Sequence, residues 1–176
     1  MNTRKKGKAK ALREQPARVR EAGAGPLSAP LDEIDKAIIR ELQIDGRLPY
    51  AKLGPAVGLS QAAVRQRVQR LIDSSAMQIV AVTDPLAVGF TVEAMVAVKA
   101  EGDLRKVADA LAEIAEVTYV VITAGRYDIM AEVVCEGAEE LLALVNDEVR
   151  AIPGVTHAET FTYLHLAKQS YSWGTR

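Results

Sequence analysis

Cysteine, histidine and long apolar runs are what this 176-residue sequence has least of. Its single cysteine, Cys135, excludes an internal disulfide and any multi-cysteine zinc cage. Its two histidines, His157 and His165, fall eight residues apart on one strand-like segment. They are in phase but ~26 Å apart at strand rise, so one chain cannot bring both to a metal ion. Although 49% of the residues are hydrophobic, no run approaches the ~20 apolar residues that a membrane-spanning helix requires. The basic start, "MNTRKKGKAKALR", has neither the apolar core nor the small-residue cleavage site of a secretory signal. These absences predict a soluble, cytoplasmic chain with no membrane partner, no metal and no cofactor.

Carboxylates are missing from one particular stretch. Between Tyr50 and Arg70 the charged residues are Lys52, Arg65, Arg67 and Arg70, with no Asp or Glu among them. The net charge of -1 hides a wider asymmetry: residues 1–20 hold eight Lys or Arg against one Glu, or +7, and residues 76–176 hold seven against fifteen, or -8. Such a split is expected of a chain that meets nucleic acid at one end and does another job at the other.

Residues 1–30 mix cations with "EAGAGPLSAP" and offer little apolar surface, so they read as a disordered basic arm. From Leu31 the pattern turns helical. Ile34, Ile38 and Leu42 recur every four residues behind Asp32, a good N-cap, until Asp45 and Gly46. A shorter segment, "YAKLGPAVG", is anchored by Leu53 and Val57 and turned by Gly58. Ser60 then caps a third helix, on which Val64, Val68, Leu71 and Ile72 form one apolar stripe. This places a helix-turn-helix over residues 31–75. In that motif the second helix of the pair enters the major groove with its N-terminal residues at the base edges. The amides of Gln61, Gln66 and Gln69 suit adenine edges, and Arg65, Arg67 and Arg70 suit guanine or phosphate. Ser60 and Ala62 complete the expected double-stranded DNA contact set. The competing reading of these residues is an ordinary solvated helix face.

After Ala76 the periods shorten. "QIVAVTDP" reads as a hinge strand leading into a linker over 76–90, and "TVEAMVAVKA" as a strand with Val92, Ala94, Val96 and Val98 on one face. Helical spacing follows from Leu104 to Ala115, then strands "VTYVVIT" and "YDIMAEVV" joined by "AGR", a helix from Ala138 to Val149, and a last strand, "VTHAETFTYLHL". Strand, helix, strand, strand, helix, strand over 91–168 is the ferredoxin-like βαββαβ order, so the whole chain is of the α+β class. Residues 169–176 are left as a tail. The sheet face away from the helices carries valines, a tyrosine and a methionine, and a second copy of the chain is the simplest cover for it.

In this order, "LDEIDKAIIRELQIDGR", "VGLSQAAVRQRVQRL", "AVTDPLAVG" and "AGRYD" resemble the Lrp/AsnC family, the feast/famine regulators, over residues 31 to about 168. The matching positions are Leu31, Asp35, Leu42, Gly46 and Arg47, then Gly58, Leu59, Ser60, Val64, Arg67, Val68 and Leu71, and last Gly125, Tyr127 and Asp128. The resemblance implies a transcriptional regulator that dimerises through its C-terminal domain and builds tetramers or octamers. It also implies a small-molecule effector, an amino acid or related metabolite, held at Thr123, Ala124, Gly125, Arg126, Tyr127 and Asp128. Their chemistry allows this: Gly125 admits a ligand to the backbone, Asp128 can accept from an ammonium group and Arg126 can hold a carboxylate. The plainer alternative is that Gly125 makes a turn and Asp128 bonds its amides. The sequence departs from the family at Gly54, where alanine is usual, at Pro55, which predicts a shortened or kinked helix, and at Ser74-Ser75-Ala76, where Glu-Gly is common.

Two rival functions are open at this point. One is an enzyme resembling the siroheme-pathway decarboxylases of haem precursors, in which His157 would act; Cys135, beside Val133 and Val134, reads as an inert buried thiol instead. The other is an architectural protein that compacts DNA as part of the nucleoid without a ligand, its basic arm on phosphates.

Overall fold

A computed structural model describes residues 30–170 together with 174 and 175. The basic arm, expected over 1–30, lies outside the described residues except for Pro30. The described residues divide into two compact units, one of residues 83–167 and the other of those up to Val82 joined by those from Lys168 on.

Three helices make the N-terminal unit: α1, Glu33–Ile44; α2, Tyr50–Ala56; and α3, Gln61–Asp73. Asp32 starts α1 as expected, accepting from the Asp35 amide at 2.7 Å, while the Asp35 carboxylate accepts from the Asp32 amide at 3.4 Å. This reciprocal pair satisfies two donors that helix geometry leaves unpaired. Ser60 caps α3 by accepting from the Ala63 amide at 3.2 Å. The apolar stripes meet in one core in which Ile38, Leu53, Val64 and Val68 are completely buried.

α2 is only seven residues long and carries Pro55 inside it. Gly54 explains how the turn after it is made. Its carbonyl accepts from the Leu59 amide at 2.8 Å, and a Cβ at this position would stand 2.7 Å from the Leu59 carbonyl oxygen. The chain doubles back too closely for any side chain. After α3, the Ala76 and Met77 amides both return to the Leu71 carbonyl, and Ser75 takes φ 59°, a left-handed turn that glycine occupies more readily.

The expected hinge strand over "QIVAVTDP" does not form: residues 78–84 adopt no regular secondary structure. Ile79, Val80 and Val82 have the side chains of a strand but are 44%, 66% and 57% exposed. A strand is completed by a ladder partner, and the described chain supplies none here.

The second unit has the expected order: β1, Val92–Ala100; α4, Leu104–Ala112; β2, Val117–Ile122; β3, Ile129–Cys135; α5, Ala138–Ala143; and β4, Val155–Thr162. Its strands lie β2-β3-β1-β4, every pair antiparallel. Val98 sets the register, facing Ile129 on one side and Ala158 on the other. Alternation divides the sheet. Ala94, Val96, Val98, Ile129, Val133 and Cys135 pack with Val107 and Leu111 of α4 and with Leu144 and Val149 beyond α5. The other face carries Met95, Tyr119, Met130, Phe161 and Tyr163, and Tyr119 and Phe161 are 53% and 45% exposed.

Three details differ from the sequence expectation. The helix expected over 138–149 is α-helical only to Ala143 and widens to a π-helix over Leu144–Val149. The last strand stops at Thr162, so His165 lies beyond the strand that carries His157. The β2–β3 loop spans residues 123–128 rather than three residues. Asp128 is the cause: its amide donates to the Val98 carbonyl at 2.9 Å and its Oδ2 accepts from the Ala100 amide at 3.0 Å, which ties the loop to the end of β1.

Candidate functional site

Helical spacing arranges α3 into three faces. At ~100° per residue, Gln61, Ala62, Arg65, Gln66 and Gln69 share one side, and Val64, Val68 and Leu71 lie opposite. The first five are exposed and the last three buried. Ser60, also exposed, stands at the N-terminal end of this polar side. Arg65 makes no ion pair or hydrogen bond among the described residues, whereas Gln69 donates to Asp73 at 2.8 Å.

Arg67 and Arg70, grouped by the sequence with the outward residues, are instead drawn to α1. Arg67 Nη1 lies 2.6 Å from Asp32 Oδ2 and 2.8 Å from Asp35 Oδ1. Arg70 Nη2 lies 2.7 Å and 2.6 Å from the two oxygens of Asp35. The Asp35 side chain is only 3% exposed; those of Arg67 and Arg70 are 27% and 58% exposed. Arg67 holds the Asp32 carboxyl below its ordinary range, helped by the Asp35 amide, and the two carboxylates hold the Arg67 guanidinium above its own. Two cations and two carboxylates thus form one neutral cluster that fastens the first helix to the third. Asp32 as a cap and Asp35 as a family position were visible in the sequence, but their joint hold on α3 was not.

At the other candidate site, the loop is closed by the Thr123 amide donating to the Asp128 carbonyl at 2.8 Å and the Thr123 hydroxyl to the Tyr127 carbonyl at 2.6 Å. Ala124, Gly125 and Arg126 are exposed, and a Cβ on Gly125 would meet nothing within 4 Å. The Arg126 guanidinium stacks 5.5 Å from the centre of the Tyr127 ring, which meets Phe161 edge-on at 6.4 Å. Phe161 was not among the residues expected here; only the register of β4 brings it in. Asp128 spends one oxygen on the Ala100 amide. The six residues are brought together, with a reachable backbone at Gly125 and a cation held over an aromatic face.

A three-helix unit followed by a βαββαβ unit defines a two-domain helix-turn-helix protein. The AsnC-type helix-turn-helix domain matches residues 31–72, and a C-terminal dimeric alpha+beta barrel domain of AsnC-type regulators matches residues 82–176. The chain belongs to the Lrp/AsnC family of transcriptional regulators. It is 34% identical over 146 residues to the HTH-type transcriptional regulator FL11 of Pyrococcus horikoshii, covering 82% of this chain and 96% of that one. The leucine response regulatory protein LrpA of Mycobacterium tuberculosis is a structural neighbour with TM-score 0.72, 30% identity, and 79% and 96% coverage. A Neisseria meningitidis regulator solved as an L-Met complex shares the fold, with TM-score 0.72, 24% identity, and 81% and 96% coverage. These relatives are regulators, and the chain is a regulator rather than an enzyme. No helix among the described residues is long and apolar enough to cross a membrane.

Proposed function

We propose that this chain is a sequence-specific DNA-binding regulator whose assembly and DNA affinity respond to an amino acid or a derivative. The observation that carries the reading is the outward side of α3, where Gln61, Arg65, Gln66 and Gln69 stand exposed on a segment free of carboxylates from Gly46 to Ile72. Ser60 and Ala62 border the base-reading set, with Arg67 and Arg70 at its edge. A homodimer places two such helices in successive major grooves, with half-site centres about one turn, ~34 Å, or a multiple apart. Its dimer forms over the open sheet face, where Tyr119 and Phe161 are exposed, and dimers add up to a tetramer or octamer on the nucleoid.

The effector sits at Thr123–Asp128. Gly125 opens the backbone to it, Arg126 offers a guanidinium to its carboxylate, and the second oxygen of Asp128 accepts from its ammonium group. One relative's name states a leucine response and another was solved with L-Met, which supports this ligand class. Effector and DNA then influence one another by the same factor.

The test is a duplex selected by the purified protein from a random pool, followed by a melting-temperature screen of amino acids and their breakdown products. The reading predicts a protected palindrome-like site, and a stabilising ligand that changes both assembly mass and affinity for that duplex. A best ligand that changes neither refutes the effector half, and failure to enrich any duplex refutes the DNA half.

A further inference from the structure

Of the three arginines on α3, the two facing α1 are neutralised by it. A carboxylate as buried as that of Asp35 gives up most of its contact with water and is compensated by close cationic partners. It has two, within 2.8 Å and 2.6 Å. Arg67 also reaches Asp32, so four charges of two signs cancel. Arg65 lies ~200° around α3 from Arg67, beside Gln61, Gln66 and Gln69, and has no such partner among the described residues.

We propose that Asp35 acts as an internal substitute for DNA phosphate: it withholds Arg67 and Arg70 from the duplex and uses them to set the angle of α3, leaving recognition to Arg65 and the glutamines. The inference rests on α3 being the helix that meets DNA. Arg67, Arg70 and Asp35 are then positioning residues, and the device favours sequence specificity over general attraction to phosphate. A guanidinium bound to phosphate would add to the salt dependence of binding in proportion to the charge it neutralises, whereas one bound to Asp35 adds nothing.

The experiment measures affinity of the full chain for its selected duplex and for a shuffled duplex across a KCl series, in wild type and in the R65Q, R67Q, R70Q and D35N variants. R65Q reduces the slope of log affinity against log salt by about 0.9, the value of one phosphate contact. R67Q and R70Q weaken the selected duplex but leave the slope unchanged. D35N, which releases Arg70 while Arg67 keeps Asp32, steepens the slope by about 0.9 and narrows the preference for selected over shuffled DNA. A loss of destabilised structure alone would not steepen a salt slope. If D35N fails to fold, the R67Q and R70Q slopes still decide. A slope reduced by about 0.9 in either of those variants, or a folded D35N with wild-type slope and preference, overturns the withholding while leaving the reading of α3 intact. Binding that R65Q does not alter instead removes the reading of α3, and the inference with it.

Discussion

Replacing Gly54 by alanine sets two effects of opposite sign against each other. Inside a helix, alanine is favoured over glycine by about 1 kcal/mol, because glycine loses more backbone freedom on folding. The added methyl, however, would lie 2.7 Å from the Leu59 carbonyl oxygen and 3.3 Å from the Gln61 amide nitrogen, where ordinary contact begins at 3.4 Å. Both neighbours are backbone, so no side chain can rotate away. The turn itself must open by 3.4 minus 2.7, or 0.7 Å, and the Leu59-to-Gly54 hydrogen bond lies within it. Overpacking of this kind costs about 1–3 kcal/mol. Subtracting the propensity gain from the upper half of that range leaves a net loss of about 1–2 kcal/mol. Hydrogen exchange of the α2 and α3 amides reads it locally: their opening free energy should fall by about that amount while amides of the β-sheet unit keep theirs. Affinity for the selected duplex should fall too, since the turn delivers Ser60 and Gln61 to the start of α3. Equal or greater protection in G54A would refute the reasoning, because it would mean the turn has slack that the 2.7 Å approach denies.

Other outcomes follow from single residues. Ser75→Gly relieves a left-handed serine at φ 59° and should stabilise the N-terminal unit by about 0.5–1 kcal/mol, read as a higher urea midpoint with unchanged slope. Burial first, then Glu132 and Asp84, hold the Glu93 carboxyl above its ordinary value of 4.5. The folded protein therefore binds that proton more tightly and loses stability as pH rises through the window above 4.5. Glu93→Gln should raise the melting temperature at pH 7 and flatten that window; an unchanged pH profile counts against the assignment. Asp32 works in the opposite sense, since its depressed carboxyl contributes above 3.8 and the contribution is lost as pH falls through the folded value. The Arg67→Gln variant should lose this acid sensitivity in melts of α3. Burial, with Glu140 and Glu116, pushes the Cys135 thiol up to about 11, so a thiol reagent should react with it only after denaturation; rapid reaction of the native protein would place the residue at the surface.

Local patterns that report one element at a time were legible in the residues alone. Asp32 and Ser60 start their helices because a side-chain oxygen can reach an amide two or three residues on, which depends on no distant partner. Ile38, Val64 and Val68 sit in the core, and Ala94, Val96 and Val98 on the helix-facing side of the sheet, because period 3.6 and period 2 assign faces before packing begins. The βαββαβ order follows from those periods and the turn residues between them. The loop between β2 and β3 was legible as a turn, not as a shape: its length and its Phe161 neighbour come from the bond of Asp128 to β1 and the register of β4.

What only the tertiary structure decided was which groups meet. Composition makes Arg65, Arg67 and Arg70 look equivalent, but Asp35 lies more than thirty residues upstream, and only the crossing of α1 on α3 brings its buried carboxylate to two of them. Ile79, Val80 and Val82 have the residue types of a strand, yet no strand exists without a ladder, and the described chain offers none to that segment. Periodicity is a property of neighbours along the chain, whereas ion pairs, ladders and close approaches such as that at Gly54 are properties of neighbours in space.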